Sequence, residues 1–227
     1  MVADHTVKAF DDDITRLRGL IAEMGGLAEL AIDESMEALV NGADEIAARV
    51  IERDKRIDAI EQAVDQLAIK VLALRAPMAD DLREVVAGIK IAGILERIGD
   101  YAKNIAKRAT RIEGRRMFEP LTLLPAMSEV ASGMVRDVLT AYAARDAAAA
   151  VEIVQRDAKV DAFYDSIFRN FVSFMVENPS TITSAAQLLF VARNLERIGD
   201  QATNLAEQVY FTATGEYLAD RVERPQN

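Results

Sequence analysis

The hexapeptide LERIGD stands twice in this chain, at residues 95–100 and again at 195–200. A second block also recurs. RDKRID fills residues 53–58 ahead of the first copy, and RDAKVD fills 156–161 ahead of the second. A proline lies between the blocks each time, Pro77 and then Pro179. Proline breaks a helix interior because it lacks the N–H and its ring clashes with the preceding turn. Each half therefore reads as two helices joined at a proline turn, and the chain as a duplicated helical hairpin.

The apolar period and the breakers extend this to six helical segments. The first spans about 7–40 and stops at Asn41-Gly42. The second spans 44–75 with Asp44 as N-cap, and the third spans 80–113 with Gly114 as stop. The fourth, fifth and sixth span about 121–144, 146–177 and 181–214. GRRMFEP, residues 114–120, is the one stretch that reads as a linker. It divides a first unit, 1–114, from a second, 115–227, and the polar tail 220–227 reads as frayed. Only five prolines and 6% aromatic residues favour helix over sheet. Short connections make sequential helices antiparallel. The expected fold is all-α: two tandem antiparallel three-helix bundles.

A net charge of −10 argues against a nucleic-acid partner, which needs a basic face, and against adsorption to an anionic membrane. Cysteine is absent, which removes disulfides and thiol catalysis. No run of about 18 uncharged apolar residues exists to cross a bilayer, and the N-terminal stretch has no apolar signal-peptide core. A cytoplasmic protein without direct membrane insertion is expected. P-loop, G-x-G-x-x-G, G-x-S-x-G and H-E-x-x-H patterns are all missing. His5, the single histidine, reads as a surface residue, and 10–13 (FDDD) as an acidic first turn. Met24, Met36, Met134 and Met175 read as core or contact filler.

The repeated blocks are rich in acids four residues apart. Glu96, Asp100 and Asn104 form one line, Glu196, Asp200 and Asn204 its second copy. Asp54 with Asp58 and Asp157 with Asp161 add two more. On a helix, each series is a row of oxygens on one face. Those rows fall opposite the apolar stripe of Leu188, Val191, Leu195, Ile198, Ala202 and Leu205, so they are expected to face away from the core. Register brings them together. Asp58 lies 19 residues before Pro77 and Glu96 lies 19 after it; Asp54 and Asp100 lie 23 on either side. The second half matches to one residue around Pro179. Each hairpin should thus gather four carboxylates.

Gathered carboxylates repel, and something must offset that. One solution is a salt-bridge network, with Arg53, Arg56 and Arg97 in the first half and Arg156, Lys159 and Arg197 in the second. The other is bound cations. Carboxylate and amide oxygens suit hard ions such as Mg²⁺, Mn²⁺ or iron, in clusters of more than one ion where carboxylates bridge. Asn104 and Asn204 read as outer ligands or ordinary polar surface. Gly99 and Gly199 read as points of close approach. A di-iron site of the ferritin type needs Glu-x-x-His pairs, which one histidine cannot supply. A phosphoester hydrolase using clustered metals to activate water is the enzymatic alternative. A salt-bridged helical scaffold is the structural one.

LERIGDYAKNIAKR and LERIGDQATNLAE, together with the doubled D-x-x-x-D and the two three-helix halves, resemble the PhoU family over essentially the whole chain. The resemblance implies a non-enzymatic negative regulator of the phosphate-starvation response. It implies two partners, the ATPase subunit of a phosphate ABC transporter and a membrane sensor histidine kinase, and a homodimer; separately, apolar positions expected to be exposed, such as Leu189, allow an oligomer contact. It also implies divalent metal, multinuclear in some members. The ligands would be Asp54, Asp58, Glu96 and Asp100, then Asp157, Asp161, Glu196 and Asp200. One departure separates the halves: Glu61 follows Asp58 by three, but Tyr164 follows Asp161 by three. The two clusters are thus expected to differ in ligand number or occupancy.

Overall fold

A computed structural model describes residues 2–112 and 122–218, with side chains from residue 9 onward. Its described elements are helical. α1 runs Val2–Asn41, α2 Asp44–Arg75, α3 Asp80–Ala109, α4 Leu123–Ala144, α5 Ala147–Gln155, α6 Asp157–Glu177 and α7 Ile182–Thr214, with a 3₁₀ turn at Pro179–Thr181. The expected boundary at 114/115, the Gly114 stop, the linker 114–120 and the tail 220–227 lie outside the described residues, as does the His5 side chain.

Helical spacing builds the core of each unit. Leu17, Ile21, Met24, Ile32 and Leu39 of α1 are fully or almost fully buried, with Ile57, Ile60 and Val64 of α2 and Ile91, Leu95, Ile98 and Ile105 of α3. In the second unit, Met127, Met134 and Val138 of α4 meet Val160, Ile167 and Phe171 of α6 and Leu188, Leu195 and Leu205 of α7. Burying one such side chain is worth about 1.5–3 kcal/mol. Met24, Met36 and Met134 are core residues as expected, and Met175 is partly buried against the core.

The units lean on one another through α3 against α7 and α1 against α4. Polar contacts stitch that seam. Arg136 Nε donates to Glu29 at 2.5 Å, and Ser132 Oγ donates to Asp33 at 3.0 Å. Arg108 donates to Gln187 Oε1 at 2.7 Å and lies 4.3 Å from the Phe190 ring centroid.

Four local expectations need correction. The fifth segment is two helices, because the backbone turns at Arg156 between α5 and α6. Asp146 caps α5, accepting from the backbone N–H of Ala148 and Ala149, both at 3.0 Å. Asp44 is not an N-cap but the first residue of α2, where its charge and that of Glu45 meet the positive end of the helix dipole. α3 ends at Ala109, short of 113, in a turn closed by Arg111 N–H on the Arg108 carbonyl. Leu189 is partly buried against the core. The exposed apolar side chains of that region are Phe168, Val172, Val176, Ile182 and Phe190, the last one residue past Leu189 and so on an outward face of α7.

Candidate functional site: two acidic seams

The register read across Pro77 is the one observed. A Cβ added at Gly99 would lie 2.8 Å from Ile57 Cδ1 and 3.7 Å from Asp54 Oδ1, and one at Gly93 would lie 3.7 Å from Glu61 Oε1. α2 therefore runs against α3 with Asp54 level with the turn around Asp100, and Glu61 level with the turn before Glu96. Gly199 meets Val160 in the same way, with Val160 Cγ1 3.1 Å from an added Cβ. The glycines have no side chain to hold the helices apart, so each hairpin closes tightly and draws its acids into the groove between the helices.

That closeness overturns the expected outward orientation. Asp54 is 5% exposed, Asp157 8% and Glu196 9%. Asp58, Glu96, Asp100, Asn104, Asp161, Asp200 and Asn204 are half-buried. The helical-wheel estimate fails because it treats each helix alone. A row opposite one helix's core stripe can still face a neighbouring helix.

In the first seam, the carboxylates sense one another. Burial, and then the charge of Asp54, push the Asp58 carboxyl above its ordinary range. Glu96 is raised by burial and then by Asp100, Glu61, Asp58 and Asp54. Glu61 is raised by burial, then by Asp65 and Asp58, and so belongs to this group. The counter-charge is Lys103. Its Nζ donates to Asp54 Oδ2 at 2.5 Å and also to Asp100 Oδ1. Burial alone would lower the Lys103 pKa, but the hydrogen bonds to Asp100 and Asp54 outweigh it and raise it. Asp54 Oδ1 stays buried without a hydrogen-bond partner.

The second seam is built differently. Burial, reinforced by Asp200 and opposed by Arg193, pushes the Glu196 carboxyl up to about 7. Arg193 Nη1 donates to Glu196 Oε1 at 2.7 Å, while Glu196 Oε2 is buried with no partner. Thr203 stands three residues after Asp200, where Lys103 follows Asp100. It is 1% exposed, and its Oγ1 is also unpartnered. Asp157, Asp200 and Asn204 have interactions of their own. Tyr164, the counterpart of Glu61, lies under the Arg193 guanidinium at 5.6 Å.

Several expected neutralisers pair elsewhere. Arg53 bonds Glu34, Arg56 Nη2 donates to Glu23 at 2.7 Å, and Arg156 bonds Asp137. Arg197 sits 5.8 Å from the Tyr101 ring, although its charge still reaches Glu196. Arg97 is close enough to lower Glu61. Lys103, Arg193 and Thr203 escaped the sequence reading. The signal was present, because aligning the two LERIGD copies sets Lys103 opposite Thr203.

The metal expectation meets a mixed fit. Among the described residues, no three acidic side chains converge as placed on a point where they could hold an ion. The donor set is all oxygen in both seams, which suits hard cations. In the second seam, the orphaned Glu196 Oε2 and Thr203 Oγ1 are buried polar atoms that want a partner. In the first, the cationic place is taken by Lys103.

A cleft of about 1010 Å³ opens elsewhere, lined in part by Arg18, Gly26, Glu84, Leu139, Tyr142 and Arg145. Arg18 Nε donates to the buried Glu84 at 2.5 Å, and Arg145 binds the same carboxylate. None of the seam carboxylates lines this cleft.

A unit of three helices, α1–α3, followed by one of four, α4–α7, each with a polar seam inside its hairpin, defines a duplicated all-α bundle protein. The PhoU domain matches residues 21–109 and again 124–209, one copy per unit. The chain is 50% identical over 217 residues to the phosphate-specific transport system accessory protein PhoU homolog of Zymomonas mobilis, covering 96% of this chain and 92% of that one. It is 42% identical to the homolog of Rhizobium meliloti, over 98% of this chain and 94% of that one. Its fold superposes on the crystal structure of PhoU from Pseudomonas aeruginosa with a TM-score of 0.86 at 32% identity, spanning 91% of this chain and 100% of that one. This chain belongs to the PhoU family. No helix among the described residues is long and apolar enough to cross a membrane.

Proposed function

We propose that this chain is a non-catalytic repressor of the phosphate-starvation response. It relays the state of a phosphate ABC transporter, through the transporter's ATPase subunit, to a membrane sensor histidine kinase, and so also bears on phosphate uptake. The single observation that carries this is the full-length match to accessory proteins of the phosphate-specific transport system. The separation of the acidic seams from the large cleft supports a non-catalytic role, since a hydrolase would need its metal beside a substrate pocket.

Divalent ions, Mg²⁺, Mn²⁺ or iron, are held in this reading by the seam oxygens of Asp157, Asp161, Glu196 and Asp200, with Asn204 at the edge. The orphaned buried oxygens of the second seam support it. Loading requires the carboxylates to turn toward one centre. For the first seam, the Lys103 contacts favour the salt-bridged scaffold reading instead. A homodimer is favoured by the exposed Phe168, Val176, Ile182 and Phe190 around one hairpin tip.

Affinity purification of the tagged chain from cells in high phosphate is expected to bring down the transporter ATPase and the kinase together, with a different ratio in low phosphate. Recovery of neither partner under both conditions, with the chain at native level, would count against the relay.

A further inference from the structure

We propose that Lys103 is the built-in cation of the first acidic seam and closes it to divalent ions, so that the two duplicated seams are not equivalent metal sites. The inference rests on the reading that the PhoU-type seams bind metal, and it limits that reading for this chain.

Three observations carry it. The Lys103 ammonium reaches both helices of the first hairpin, bonding Asp54 on α2 and Asp100 on α3. Those are carboxylates that an ion held between the helices would have to share. Asp54 is 5% exposed, so its carboxyl group is committed to the groove where the Lys103 ammonium meets it. At the matching place in the second hairpin stands Thr203, which brings no positive charge and leaves an oxygen, Oγ1, buried and unpartnered. The duplicated frame keeps LERIGD, with its close-approach glycine, and the following Asn104 or Asn204, while Glu61 gives way to Tyr164 and Gly93 to Arg193. At this position the first seam therefore carries an ammonium bonded to both helices and the second a hydroxyl oxygen, while the second seam's own cation, Arg193, bonds only Glu196 on its own helix.

A metal ion entering the first seam would have to displace the ammonium from two carboxylates, or sit within a few ångströms of a like charge. Either cost weakens binding by an order of magnitude or more, on the scale of about 1.4 kcal/mol per tenfold. A neutral side chain at 103 removes both costs.

The test counts ions on the purified full chain, stripped with chelator and titrated with Mn²⁺ under calorimetry, with free Mn²⁺ followed by electron paramagnetic resonance. K103T copies the second seam. K103Q keeps the length and a hydrogen-bond donor, as a safeguard should K103T fold poorly. Both are expected to gain Mn²⁺ over wild type, or to bind it at least tenfold more tightly. Adding D54N and E96Q should abolish that gain. In wild type, E196Q with D200N should remove the bound Mn²⁺, whereas D54N with E96Q should not. If D54N with E96Q lowers the wild-type count, or if neither Lys103 variant gains anything while wild type binds, the Lys103 inference fails and metal binding stands. If no variant and no wild-type protein binds Mn²⁺, both fail. A gain in K103Q with none in wild type supports the closure and removes metal binding from the native chain.

Discussion

Replacing both Arg18 and Arg145 by methionine is expected to cost about 3–5 kcal/mol of stability, while either replacement alone costs less than about 1 kcal/mol. The reason lies in Glu84. Its side chain is 5% exposed, and both guanidiniums reach it, each itself 49% exposed. Either arginine alone still answers the buried charge. Without both, a carboxylate remains in the interior with no cation, the mechanism by which breaking a buried pair is most damaging. Glu84→Gln in the double-variant background is expected to recover most of the loss. Chemical denaturation of wild type and the four variants checks this, and additive single effects would contradict it. The same network sets the Tyr142 hydroxyl. Burial, and then the Glu84 charge, push it up to about 12.

Glu196 gives the second large effect, with a definite pH sign. Its carboxyl titrates at about 7 in the folded chain against 4.5 ordinarily. Below about pH 4.5 it is protonated in both folded and unfolded states and contributes nothing. As pH rises from 4.5 to 7, the unfolded carboxyl gives up its proton while the folded one keeps it. The folded state then binds more protons, so stability falls through that window and the full penalty remains above it. The size is about 3 kcal/mol, from the shift of 4.5 to about 7 at 1.36 kcal/mol per unit. Glu196→Gln should therefore stabilise chelator-treated protein by about that amount at pH 8 and by almost nothing at pH 4. Asp58, Glu61 and Glu96 are shifted in the same direction and steepen the wild-type slope. Urea midpoints at the two pH values read the difference. A variant no more stable than wild type at pH 8 would contradict the assigned burial.

The helices and the pairing of acids across each proline turn were legible in the sequence, because both depend on periodicity and counting. Asp54 opposite the turn of Asp100, and Val160 against Gly199, follow directly from distance to Pro77 and Pro179. The depth of the seams was not legible. A helical wheel places Glu196 opposite the core stripe of α7 but does not include α6, whose close approach at Gly199 covers it. Nor was the choice of counter-ion legible. Arg53, Arg56 and Arg156 lie nearest the acids in sequence, yet each reaches an acid on an adjacent helix instead. Long side chains choose partners by packing, which spacing along one helix does not record. The break at Arg156 was likewise hidden. Asp146 caps the short helix before it, but no proline or glycine marks its end.

The most direct test of the central claim is a starvation-gene reporter in cells grown in plentiful phosphate. With the gene deleted, the reporter is expected to switch on. A wild-type copy should silence it again, and a copy carrying D157N, E196Q and D200N, present at equal level, should not. A reporter that stays silent in the deletion strain would contradict the assignment as a repressor.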